Sequence, residues 1–144
     1  MAYFLAKTDP ETYSIEQFEQ DKETTWDGVR SAQAVRVIQS MQQGDEVFIY
    51  HSMGEAAIVG LARVTGQPRP DPHDSKSWVV DMQFIRRLAR PVTLRAVKET
   101  HRFDDWSLVR QSRLSTMSMP AEFVHWMREH YPQNFSAADV SNAF

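Results

Sequence analysis

Between Glu46 and Val64 lie two short extended segments, each apolar on both faces, joined by a compact turn. Val47 and Ile49 alternate with Phe48 and Tyr50 across Glu46–His51, and Ala57–Val64 is apolar in both registers. Strands of this kind are stable only when both faces are covered, so the pair belongs inside a layered fold rather than on a solvated sheet. The turn Met53-Gly54-Glu55 is short enough to make the pair antiparallel. Gly60, inside the second strand, marks a bulge or a point where another group approaches the backbone closely.

Tyr3-Phe4-Leu5-Ala6-Lys7 is a strand that stops at Thr8-Asp9-Pro10. Ser14 followed by Gln17 has the pattern of a capping box and opens a short helix burying Ile15 and Phe18. Asp21–Thr25 reads as a polar link. From Ser31, the positions Ala34, Val35, Ile38 and Met41 recur at helical spacing, with Gly44 placed for a left-handed C-terminal cap. Gln67–Ser77, with Pro68, Pro70 and Pro72, reads as an irregular loop. Trp78, Val80, Met82 and Phe84 alternate as a half-buried strand, and Pro91–Lys98 reads as a short helix capped by Thr93. Thr100–Trp106 is a polar connection, and Leu108–Met119 reads as extended around Arg113-Leu114-Ser115. Pro120 opens a last helix with Phe123, Trp126, Met127 and His130 on one face, ended by Tyr131-Pro132. The order implies an α+β fold, a curled mixed sheet or partial barrel with flanking helices. With 144 residues, 42% of them hydrophobic, there is material for one core and not for two. Residues 1–132 form that domain, and 133–144 a loosely held tail.

Several chemistries find no residues to run on. Without cysteine there is no disulfide, thiolate metal site or cysteine nucleophile. His51, His73, His101, His125 and His130 show no ligand spacing, so no metal is expected. There is no serine elbow, no glycine-rich phosphate loop, and Asp104-Asp105 reads as a solvated turn. No catalytic residue and no cofactor follow. The longest apolar runs, Val47–Tyr50 and Ala56–Ala62, are too short to span a membrane, and Met1-Ala2-Tyr3 lacks a basic signal-peptide opening. A soluble, cytoplasmic monomer with no membrane partner is expected. The formal net charge of −3 argues against a broad phosphate-binding surface, although arginines cluster at Arg86–Arg95 and Arg102–Arg113.

One stretch falls outside any apolar periodicity. Thr25-Trp26-Asp27-Gly28-Val29-Arg30-Ser31 sets an indole, an acid, a glycine and a guanidinium just before a helix. An isolated tryptophan is more often core than site, but the polar neighbours of Trp26 favour a pocket wall. Tyr50, out of register with Val47 and Ile49, falls on the opposite face of its strand, and His51 and Ser52 end it. Together these groups could stack a base and read its edge through Asp27 and Ser52. Trp78 and Trp126 follow strand and helix periodicity and read as core.

Lys7-Thr8-Asp9-Pro10, Trp26-Asp27-Gly28-Val29-Arg30, Phe48-Ile49-Tyr50-His51-Ser52, Ile58-Val59-Gly60-Leu61-Ala62, Pro70-Asp71-Pro72 and Arg113-Leu114-Ser115 follow one another in the order and spacing of the EVE domain. The chain resembles that family from Tyr3 to about Tyr131. The resemblance implies a PUA-like fold, similar to YTH domains, and a non-catalytic reader of a modified base in DNA or RNA, taken single-stranded or flipped. Carried over by motif, Trp26 is a cage wall beside Tyr50, His51 and Ser52. Thr8 lies at the pocket edge, and Leu114 and Ser115 close it. Thr8 and Asp9 stand where Ser and Glu are common in the family, Ser31 where Asn is frequent, and the 67–77 loop is short. Arg30 and Arg113 serve either as phosphate or framing contacts or as salt-bridge partners of the early acids Asp9–Asp27. The rival to base reading is a small-metabolite or protein-interaction module on the same fold, with an enzyme acting on modified nucleotides ranked last.

Overall fold

The structure is a computed structural model that describes residues 1–135. The two-sided hairpin sits at the centre of the sheet. β3 (Glu46–His51) and β4 (Ala57–Val64) pair antiparallel, and β3 also pairs in parallel with β1 (Tyr3–Thr8). β1 continues to β7 (Thr116–Ser118), while β4 pairs with the long β6 (Asp74–Thr93), which carries β2 (Glu23–Trp26) on its far edge. The order is therefore β2-β6-β4-β3-β1-β7, with the short β5 (Arg69–Asp71) on β6. Register shifts at Ile49/Tyr50, Ile58/Gly60 and Leu61/Ala62 bend the central strands. Such bulges increase local twist and curl a sheet, so it is the expected α+β, PUA-like curled sheet, mixed and open.

The helices start where side chains satisfy their first amides. Ser14 Oγ accepts from Gln17 N at the start of α1 (Ile15–Asp21), and Ser31 Oγ from Ala34 N at the start of α2 (Ala32–Ser40). Thr93 Oγ1 accepts from Ala96 N at the start of α3 (Leu94–Glu99). Each cap is worth about 1 kcal/mol. The Gln17 side chain does not complete the capping box; its Nε2 donates forward to Asp21 Oδ1. Phe18, Ile38, Phe48, Leu61, Met82, Phe123 and Met127 are among the side chains fully enclosed by this arrangement.

Local pattern reading departs from the structure in several places. Asp21–Thr25, read as a polar link, ends α1 and begins β2, an edge strand whose outward residues Glu23 and Thr25 are solvated. Arg69–Asp71, read as loop, pairs with β6 despite Pro70, as an edge position permits. Gly44 has φ +96, but it lies beyond the helix, whose C-cap is Met41. Pro91 belongs to β6, and the helix begins at Leu94. Leu108–Met119 is not extended throughout: α4 (Ser107–Arg110) precedes the three residues of β7. In α5 (Ala121–His130), Phe123, Trp126 and Met127 are buried while the His130 ring rests on Trp126 from outside.

The expected tail is docked over its first residues. Asn134 Oδ1 accepts from Arg90 N and its Nδ2 donates to Arg90 O, both at 2.7 Å, and Phe135 packs edge-on against Phe48. Residues 136–144 lie outside those described.

Candidate functional site

The end of β1 at Thr8, the Asp9–Ser14 link that leads from it into α1, and the end of β2 at Trp26 come together around one opening. A recess of about 450 Å3 results, lined by Lys7, Thr8, Asp9, Thr12, Tyr13, Thr24, Thr25, Trp26, Asp27 and Gly28. That volume lies within the range of small-ligand sites. Alternation along β2 decides what faces it: Trp26 points inward, while the Thr25 hydroxyl turns away to donate to Asp81 Oδ1 at 2.8 Å. Gly28 has φ +77, a left-handed turn that lets the chain leave the recess rim towards α2.

Trp26 is only 6% exposed. Its ring packs edge-on against Tyr13 (6.2 Å) and tilted against Phe18 (6.1 Å), so the indole is both core and a sliver of wall. Tyr13, half-buried, is the more exposed of the two aromatics that line the recess. Its hydroxyl donates to Asp21 Oδ2 at 2.8 Å, and burial pushes the phenol above its ordinary value, with Thr24 acting against the shift and Asp21 with it. Thr8 Oγ1 donates to Tyr13 O at 2.8 Å and ties the two lips together. Asp27 is exposed on the rim and has no hydrogen bond or ion pair to any described residue.

The remaining expected residues are placed around the recess rather than in it. Tyr50, expected as a wall, is 3% exposed and lies beneath the Lys7 ammonium, 5.5 Å from its ring centroid. Both faces of β3 are interior, so the face opposite Val47 and Ile49 is core as well. His51 Nε2 accepts from Ile15 N at 3.1 Å, and Ser52 N donates to Thr8 O at 3.0 Å; these two hold the start of α1 and the end of β1. Arg30 pairs with Asp74 (2.8 Å), not with the early acids. Arg113 and Leu114 line a separate groove with Ser31, Gln33 and Arg110, and Lys7 of the recess donates from Nζ to Ser112 O of that groove at 3.0 Å. Ser115 O accepts from Lys7 N, and its hydroxyl lies 3.4 Å from that of Thr116. Thus Thr8, Trp26 and Asp27 share the recess. Tyr13, Thr12 and Thr24, which no periodicity singles out, complete it.

A larger depression of about 600 Å3 between Glu55, Ala56 and the Thr93–His101 segment carries no tryptophan, tyrosine or phenylalanine, and its Arg95 is paired with Glu99 at 3.4 Å. Among the described residues no group of three or more histidines and carboxylates could hold a metal, and no helix is long and apolar enough to cross a membrane.

His51 couples this geometry to pH. Burial pushes it below its ordinary 6.5, Glu16 opposes that shift and Arg87 adds to it. Protonated, its Nε2 would face the Ile15 N–H as a second donor. Because the folded state favours the neutral ring, the unfolded chain binds more protons below about pH 6.5. The expected result is a stability contribution present above that pH and lost as pH falls through the depressed folded value. Denaturant titrations from pH 8 to pH 4 check this, and His51→Gln, which still offers an acceptor, should flatten the acid limb.

Comparisons with known proteins agree with this architecture. A family model described as EVE domain matches residues 2–130. Thymocyte nuclear protein 1 of Rattus norvegicus is 35% identical, over 69% of this chain and 56% of that protein, and its Homo sapiens counterpart is 34% identical over 69% and 57%. The chain thus spans little more than half the length of these relatives. Among solved structures, Rpa0253 from Rhodopseudomonas palustris superposes with a TM-score of 0.85 at 34% identity, covering 94% of this chain and 97% of that one. Human THYN1 protein in complex with 5-methylcytosine-containing DNA has the same fold, with a TM-score of 0.82 at 24% identity over 94% and 99% of the two chains.

Proposed function

The chain belongs to the EVE domain family, and from that premise we propose that it is a non-catalytic reader that takes one modified nucleobase of DNA or RNA into the recess beside Tyr13 and Trp26. The observation that carries this reading is the pairing of an aromatic wall with an unpartnered carboxylate, Asp27, on the rim of one small cavity. A carboxylate accepts from the exocyclic amine of cytosine, the edge contact used in base readout. Bases bearing that amine are therefore favoured over those that present a carbonyl there. The relative crystallised with 5-methylcytosine-containing DNA supports DNA as a host and cytosine as a candidate base.

The energies set the expected selectivity. Aromatic stacking contributes about 1–3 kcal/mol per base in single-strand binders, and the lower end applies here because Trp26 shows little of its face. A buried methyl adds about 0.8 kcal/mol, roughly fourfold in affinity. A hydrogen bond to a charged group contributes about 1.5–3 kcal/mol. Binding to a panel of plain and modified single-stranded oligonucleotides should show a preference of about fourfold for the methylated base. Asp27→Ala should lose roughly ten- to hundredfold in affinity, with folding stability changed by less than about 0.5 kcal/mol because the residue is exposed. Equal affinity for every base, or an Asp27→Ala protein that binds as the parent does, points instead to a small-metabolite or protein-interaction module.

A further inference from the structure

The loop leaving β2 has a second side, and that side also carries an aromatic. Trp26 is the cross-strand partner of Val80 in the antiparallel β2–β6 pair. Residues two apart on a strand share a face, so Trp78 projects from the same face as Trp26, one diagonal neighbour away at about 7–8 Å. Read as core from its periodicity, Trp78 is only half-buried. Part of its ring packs against the core, and the rest lines a groove of about 440 Å3 together with Arg30, Arg36, Gln39 and Lys76. Arg30 is neutralised by Asp74. The exposed side chains of Arg36 and Lys76 have no ion pair to any described residue. A chain of net charge −3 thus collects two uncompensated cations around an accessible indole. A stacking surface flanked by free cations is how single strands are held without base readout.

The loop that follows Trp26 borders both cavities: Asp27 and Gly28 line the recess, Arg30 the groove. We propose that Trp78, Arg36 and Lys76 form a second nucleotide subsite, which stacks the base and holds the phosphate next to the nucleotide whose base enters the recess. The subsite rests on the base-reading function proposed above. It adds affinity for a strand while contributing nothing to the choice of the modified base.

The test compares free 5-methyl-2′-deoxycytidine with a single-stranded deoxyoligonucleotide of about ten nucleotides carrying one central 5-methylcytosine. Trp78→Ala should weaken oligonucleotide binding roughly 5- to 100-fold and leave nucleoside binding unchanged. Because Trp78 also packs on the core, the exposed double variant Arg36→Gln/Lys76→Gln provides the independent readout. It should weaken the oligonucleotide alone and reduce the slope of log affinity against log salt by about 0.7 per cation removed. An unchanged oligonucleotide affinity and salt slope in the double variant overturns the subsite. If Asp27→Ala still loses both ligands in that case, the base-reading function stands without it. If the parent binds neither ligand, or Asp27→Ala binds both as the parent does, the reading itself fails and the subsite with it.

Discussion

Trp26→Ala is expected to lower folding stability by about 3–5 kcal/mol, the range for truncating a buried aromatic. The ring is 6% exposed and touches both Tyr13 and Phe18, so its removal leaves a void where β2, α1 and the recess floor meet. In a urea titration the midpoint should fall with little change in slope, as for a pure loss of stability. A loss below about 1 kcal/mol would mean that the indole is not part of the core. The same number decides how binding experiments are read. A Trp26→Ala protein that fails to bind an oligonucleotide reports a damaged recess as readily as a lost stacking partner. Asp27→Ala is the cleaner probe, because it removes a recognition group without opening the core.

The second large effect is expected at Gly60. A methyl built there would run into the Ile15 side chain at Cδ1 and Cγ1, with Arg86 O in ordinary reach. Overpacking of this kind costs about 1–3 kcal/mol, and here it displaces the first residue of α1, whose amide is held by His51 and whose neighbours carry Tyr13 into the recess. Gly60→Ala should therefore lower both stability and oligonucleotide affinity. Ile15→Val, which trims the opposing side chain, should recover part of both, giving a coupling energy of about 0.5–3 kcal/mol. Gly66→Ala is the control: a methyl there would have Asp81 Oδ2 as its nearest neighbour, at 3.8 Å, so the change should stay within about 1 kcal/mol. Equal effects at the two glycines would contradict the tight α1–β4 approach.

These two residues also show what the sequence reveals and what it hides. Gly60 announces itself as a small residue inside an apolar strand, and the structure supplies both meanings of that signal, a register shift and a close approach. The central hairpin and the caps at Ser14, Ser31 and Thr93 are legible for a similar reason: each depends on local spacing. Trp26 is legible as a special residue but not as a buried one. Its polar neighbours suggest exposure, yet Thr25 is simply the solvated alternate position of an edge strand and Asp27 the exposed residue just past its end, and nothing in Glu23–Trp26 marks it as a strand until β6 pairs with it. Tyr50 fails in the opposite sense, because alternation fixes which face a residue occupies and not whether that face is covered. Tyr13 sits in a turn with no periodicity, brought to the recess by Thr8 and by the anchoring of α1 on His51. The first contact spans 5 residues but has no periodic signature, and the second spans 36, beyond any local window.

Amide chemical-shift mapping of the isotope-labelled protein, titrated with a single-stranded oligonucleotide carrying one 5-methylcytosine, tests base reading most directly. The largest shifts should fall at Thr8, Tyr13 and Thr24–Gly28, around the recess, and be smaller with the unmethylated strand. Shifts confined to the depression near Glu55, Leu94 and His101, or identical for the two strands, would contradict it.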